Sequence, residues 1–138
     1  MSVHYKYIVI DDDPQNNLIV KLTIKKYLYP SDIQIFKDPS EGLEWITNNY
    51  SPEVTDVNTV LLLDINMQVM SGWEFLDEFE KLDARVQNQF IIFMLSSSVD
   101  DHDFEMAKGY EIVKGYLIKP LKKEILLEII DGVIRSGN

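Results

Sequence analysis

Residues 59–75 read TVLLLDINMQVMSGWEF. The apolar run Val60 to Leu63 passes straight into a carboxylate, Asp64, and Ser71-Gly72 then opens a helical stretch. A continuous apolar run bounded by polar residues suits a strand covered on both faces. An acid at the end of such a strand needs a reason, and the rest of the chain supplies one.

Four further segments share the apolar, β-like character of 59–64: YKYIVI (5–10), DIQIF (32–36), FIIFML (90–95) and GYLI (115–118). Amphipathic stretches separate them. The first helix is expected from Pro14 to Leu28, with proline pre-set for a first turn and an aspartate before it as cap. The second spans about 39–48, with Leu43 and Ile46 on one face. The third spans about 71–82, with Phe75, Leu76, Phe79 and Leu82 at helical spacing. The fourth lies near 100–108. The last runs from Leu121 to Arg135, with Ile125, Ile129 and Val133 spaced by four. Residues 49–58 carry turn formers and acids and read as a solvated loop of unusual length.

Strict alternation of this kind, with right-handed crossovers, predicts an α/β fold: a doubly wound five-stranded parallel sheet of order 2-1-3-4-5. The chain has 138 residues, 46% of them hydrophobic, which suits one globular domain. It holds no cysteine, so disulfides and thiolate metal sites are excluded. No apolar run is long enough to cross a membrane, and the start lacks the order of a secretory signal, so a cytoplasmic location is expected. A net charge of −10 opposes direct nucleic-acid binding.

In such sheets ligands bind beyond the carboxyl ends of the strands, where the strand order reverses. The first strand delivers Asp11, Asp12 and Asp13 there, the third Asp64, the fourth Ser96 and the fifth Lys119. Carboxylates held together repel unless one takes a proton or all share a cation. An all-oxygen set with free positions suits Mg²⁺. A carboxylate is also a nucleophile toward a phosphoryl group. Lys119 and Ser96 are then placed to hold phosphoryl oxygens.

The four elements IVIDDDP, LLLDINMQVMSGWEFL, FMLSSS and GYLIKPL, each at a strand end, clearly resemble the receiver domain of two-component response regulators. The resemblance covers essentially the whole chain and implies a flavodoxin-like (βα)5 fold, with residues 1–138 as a single receiver domain and no output domain. It implies that Asp64 is the phosphoacceptor and that Asp12 ligates Mg²⁺ directly. Asp11 would act mainly through water, and the backbone carbonyl of Asn66 would be a further ligand. Ser96 stands at the switch hydroxyl, Tyr116 at the aromatic switch and Lys119 at the paired lysine. The Lys119–Pro120 bond is expected to be cis.

The implied function is phosphoryl transfer from a histidine kinase or phosphotransfer protein, followed by a changed protein-binding surface. That surface would lie on the fourth helix, fifth strand and last helix. Such a domain is not an enzyme on external substrates; it phosphorylates and dephosphorylates itself. Gln68 stands where the family usually has proline, which is expected to loosen the loop after Asp64. Ser71 replaces a frequent Asp or Thr and remains a reasonable cap. Asn66 and Ser98 lie where the family tunes dephosphorylation.

Other classes fit less well. A haloacid-dehalogenase-type phosphatase needs a second aspartate two residues after the nucleophile, and Asn66 stands there. A flavodoxin-like cofactor carrier needs a Ser-, Thr- or Gly-rich first loop, and DDDP repels phosphate. A receiver that only binds partners would not need the full set of acids, hydroxyl and lysine.

Overall fold

The computed structural model describes residues 5–28, 32–97 and 101–136, and over 133–136 the backbone alone. Its elements in chain order are β1 (Lys6–Ile10), α1 (Pro14–Tyr27), β2 (Asp32–Phe36), α2 (Pro39–Asn49), β3 (Thr59–Asp64), α3 (Gly72–Phe79), α4 (Ala84–Gln87), β4 (Phe90–Ser96), α5 (Asp101–Lys108), β5 (Val113–Ile118) and α6 (Lys123–Ser136). The strands form one parallel sheet of order β2-β1-β3-β4-β5. This is the doubly wound arrangement that the alternation predicts.

Side chains alternate across a strand, so one central sheet feeds two cores. Tyr7, Val9, Val60, Leu62, Phe93 and Leu95 pack with Val20 and Ile24 of α1 and with Leu126 and Ile130 of α6. Ile8, Ile10, Leu61, Leu63, Ile92 and Met94 pack on the other side with Ile46, Phe75, Leu76 and Phe79. Every residue of β3 is buried, Asp64 included. Among the described residues no helix is long and apolar enough to cross a membrane.

Two local expectations need correction. The third helix does not reach Leu82: α3 ends at Phe79, and a separate short helix, α4, follows. The break is held by Gln87, whose side-chain amide donates to the carbonyls of Glu80 and Leu82. Asp83 then caps α4. Among the described side chains of α6, the buried ones are Leu126 and Ile130, whereas Ile125 is 43% exposed and Ile129 half-buried. The run ILLEII contains two stripes spaced by four. Leu121, buried just before the helix, fixes the entry that turns the second stripe inward. The side chain of Val133 and residue 100 lie outside the described residues.

The 50–58 loop is exposed along most of its length but tied at its base. The Tyr50 and Thr59 hydroxyls share a 2.6 Å hydrogen bond. Gln89, 1% exposed, donates to the carbonyls of Ser51 at 2.8 Å and Arg85 at 3.2 Å. Its side-chain oxygen accepts from Asn58 at 3.1 Å. Replacing Gln89 by Leu leaves these buried groups unpaired, so a loss of about 2 kcal/mol is expected in urea unfolding. The network lies at the amino ends of β3 and β4, opposite the acids, so reactions at the acidic end are expected to survive the change.

Candidate functional site: an acidic cleft at the carboxyl end of the sheet

Parallel pairing sets Ile10 opposite Leu63. One residue further, Asp11 therefore comes beside Asp64. Both share the parity of Val9 and Leu62, so both face the α1 layer. Carboxylate oxygens of Asp11, Asp12 and Asp64 lie within 4.8 Å of one another. Lys119 reaches in from the end of β5. Its Nζ is 3.2 and 3.1 Å from the two Asp11 oxygens and 3.5 Å from Oδ1 of Asp64. The main chain brings it there: the Lys119 N–H donates to the carbonyl of Ser96 at 2.7 Å.

Asp12, Asp64 and Lys119 floor a cleft of about 430 Å³, lined also by Asp13, Gln15, Asn16, Ile19, Asn66, Ser97 and Pro120; Asp11 lies buried behind it. Asp13 caps α1, its side chain accepting from the backbone of Gln15 and Asn16. The Lys119–Pro120 bond is cis. Ser71 caps α3 in a capping box with Glu74, and this fixes how the chain leaves Asp64.

Electrostatics follow from the packing. Asp64 is 2% exposed, and its pKa is pushed up to about 7. Burial is the main cause and the charge of Asp11 adds to it, while Lys119 opposes both. At Lys119, burial works to lower the pKa, but Asp11 and Asp64 outweigh it and hold the ammonium above its ordinary value. With all three acids ionised, one ammonium leaves two negative charges in excess. A donor set of hard oxygens carrying excess negative charge fits a small divalent cation.

The sequence-predicted residues are not all at the cleft wall. Asp11, Asp12, Asp64 and Lys119 come together, and Asn66 lines the cleft beside them. Ser96 is fully buried at the end of β4, with the parity of Met94, and the neighbouring Ser97 lines the cleft. Tyr116 is half-buried on β5 opposite Met94, edge-on to Phe104 of α5 at 5.9 Å. Ser98 lies outside the described residues.

Gln68 does not simply loosen its loop. Its backbone N–H donates to Oδ2 of Asp12 at 3.3 Å, a bond that proline cannot make. Two residues are missed altogether by reading strand ends. Asn16 and Asn17 of α1 are buried, and their amides donate to the side chain and the main-chain carbonyl of Asp11. A signal existed: positions 16, 17, 20, 23 and 24 form one helical face, so two asparagines point inward with Val20 and Ile24.

Comparison with known proteins agrees with this geometry. Residues 7–131 match the family model described as the response regulator receiver domain. The nitrate/nitrite response regulator protein NarL of Escherichia coli K12 is 27% identical over 125 residues, 89% of this chain. The chain spans about half, 51%, of that relative's length. Among solved structures, a response regulator receiver protein from Dyadobacter fermentans superposes with a TM-score of 0.77 at 27% identity, covering 93% of this chain and 96% of that one. A two-component response regulator from Cytophaga hutchinsonii gives 0.78 at 24% identity, over 97% and 99% of the two chains. The chemotaxis protein CheY4 of Vibrio cholerae gives 0.75 at 22%, over 95% and 99%.

Proposed function

The chain belongs to the response regulator receiver domain family, and from that premise we propose that it accepts a phosphoryl group on Asp64 and changes its protein-binding surface in response. The observation that carries this reading is the meeting of three carboxylates and one ammonium at the carboxyl end of the central strands.

In the proposed reaction an ionised Asp64 oxygen attacks the phosphorus of a phosphohistidine. A P–O bond forms and the P–N bond breaks. The imidazole nitrogen leaves with the electron pair and takes up a proton. Asp64 becomes a mixed anhydride. Lys119 neutralises developing charge on a phosphoryl oxygen, which requires it to relax part of its hold on Asp11. Ser96 and Ser97 supply hydroxyls at the end of β4. Asp12, Asp64 and the backbone carbonyl of Asn66 would hold Mg²⁺, with Asp11 acting mainly through water, and the ion supplies positive charge that keeps the acids ionised and offsets the phosphoryl oxygens.

The proposed donor is a histidine kinase or a phosphotransfer protein. The proposed output is a protein contact on the face of α5, β5 and α6, coupled to the site through Ser96 and Tyr116. A shift of a pre-existing equilibrium is enough for this, since the new bond only needs to favour one arrangement. Catalysis on external substrates is not part of the proposal.

The test is incubation with acetyl phosphate and Mg²⁺, read by intact mass. One alkali- and hydroxylamine-labile phosphoryl group per chain is expected, with labelling stopped by EDTA. Labelling that persists in EDTA, or that is stable to the hydrolysis an acyl phosphate undergoes, would overturn the reading.

A further inference from the structure

The carboxylate of Asp11 is fully buried and its acceptor capacity is filled. Oδ1 accepts from the Asp13 N–H at 2.9 Å and from Lys119 at 3.2 Å. Oδ2 accepts from Nδ2 of Asn16 at 2.9 Å and from Lys119 at 3.1 Å. A carboxylate offers about four lone-pair positions. Two of its contacts belong to groups fixed by secondary structure: a main-chain N–H at the entry to α1 and an amide on the first turn of that helix. The other two belong to one long, movable side chain.

Asn16 is unusual in a second way. It is 3% exposed, and its Oδ1 is buried with no hydrogen-bond partner among the described residues. Turning the amide over would not help, because Oδ1 would then face the Asp11 carboxylate. The orientation is set by Asp11, and the stranded oxygen is the cost. Burying an unpaired carbonyl is unfavourable, and this offsets part of what the amide's donation to the Asp11 carboxylate contributes to folding. Asn17 shares both features, with 5% exposure and an unpartnered Oδ1. Its Nδ2, however, donates to the main-chain carbonyl of Asp11 at 2.8 Å and not to the carboxylate.

We propose that Asn16 is a positioning residue: it locks the carboxylate plane of Asp11, so that the two contacts to Lys119 can be exchanged without the acid moving. The inference rests on the phosphoacceptor reading. When the ammonium shifts toward a phosphoryl oxygen on Asp64, Asp11 loses both of those hydrogen bonds. Held by Asn16 and the Asp13 N–H, it stays oriented toward the cation site with lone pairs free for a metal-bound water. Without Asn16, only one fixed donor remains. The carboxylate is then free to turn about that bond and follow the lysine.

The experiment compares Asn16→Leu with Asn17→Leu, two near-isosteric changes at adjacent buried positions. Mg²⁺ binding to the full chain is measured by titration calorimetry, and folding by thermal melting. Groups that orient metal-binding carboxylates typically contribute about 10- to 100-fold in affinity. Asn16→Leu is therefore expected to weaken Mg²⁺ binding about tenfold. Asn17→Leu is expected to lower the melting temperature, because it strands a main-chain carbonyl, and to weaken Mg²⁺ binding by less than about threefold.

Equal Mg²⁺ affinity in parent and Asn16→Leu overturns the proposal. So does equal weakening by both variants, which would mark a general loosening of α1. Should Asn16→Leu not fold, Asn16→Ala is read by the same criteria. A parent protein that binds no Mg²⁺ at all would overturn the phosphoacceptor reading itself, a result distinct from either of these.

Discussion

Asp64→Asn is expected to reduce labelling by acetyl phosphate to background, and also to make the metal-free protein more stable at pH 8. The first effect follows from chemistry. An amide oxygen in this place cannot form the acyl phosphate, and no other described carboxylate combines burial at a strand end with direct contact to Lys119 and Asp11 in this way. The second follows from the packing and separates this site from an ordinary strand-ending acid.

The sign of the stability effect is fixed by the direction of the shift. The Asp64 pKa rises from 3.8 to about 7 on folding. Between those values the folded protein holds more protons than the unfolded chain. Linkage then requires stability to fall as pH rises through that window. The contribution is complete below about pH 4 and lost by about pH 8. At 1.36 kcal/mol per pH unit the limit is about 4 kcal/mol. Relaxation around the newly charged acid reduces this, so about 2 kcal/mol is expected.

Asparagine keeps the shape and removes the titration. Denaturant melts in EDTA should therefore show the parent losing stability from pH 5 to pH 8 while Asp64→Asn stays nearly level. Lys119 does not blur the comparison, because its pKa is held above the ordinary lysine value, outside the window. Adding Mg²⁺ at pH 8 should recover stability in the parent and recover less in the variant. If both proteins follow the same pH curve, the acid is not held in the crowded, buried setting described here.

The parts of this site that could be read from sequence share one physical property: each is a break in a strong pattern. An apolar run ending in Asp64, or IVI ending in Asp11, is conspicuous because charge at the edge of a buried strand is costly. Parallel topology then brings strand ends together without further information. Asn16 and Asn17 break their pattern only mildly, since asparagine on a helix is common and its inward direction matters only once Asp11 is known to need donors. Gln89 and Gln87 act through side-chain hydrogen bonds to main-chain carbonyls at irregular separations, from Arg85 near Gln89 in the chain to Ser51 far from it, and such bonds have no period. The inward stripe of α6 was ambiguous for the opposite reason, an excess of apolar residues. Gln68 shows a further limit. The lack of proline could be read, but the hydrogen bond that its N–H makes to Asp12 depends on where the loop lands.

Gly72→Ala is expected to be the most damaging single methyl group that can be added near the site. Gly72 is buried at the start of α3, and its N–H donates to the carbonyl of Ile65 at 2.8 Å. A Cβ built there would lie 2.6 Å from the main-chain oxygen of Asp64, 2.9 Å from Cε of Met94 and 3.0 Å from Cα of Ile65. The methionine end can swing away; the other two atoms are backbone at the end of β3 and one residue beyond it, at the proposed phosphoacceptor. No glycine among the described residues has positive φ, so this requirement is steric and not conformational. Relief must come from moving α3 or the end of β3. Overpacking of this kind costs about 1–3 kcal/mol. The geometric consequence is larger than the energetic one: displacing an attacking group by about 1 Å can cost about a hundredfold in rate. Gly72→Ala should thus melt lower and label slowly even under conditions where it is fully folded. Gly132 in α6 is the natural comparison, since a Cβ there meets nothing within 4 Å. Gly132→Ala should gain roughly 0.5–1 kcal/mol from helix propensity and label at the parent rate. If the two variants behave alike, the close approach of α3 to the Asp64 carbonyl does not constrain the acceptor. The position of the nucleophile would then have to be set by the sheet alone.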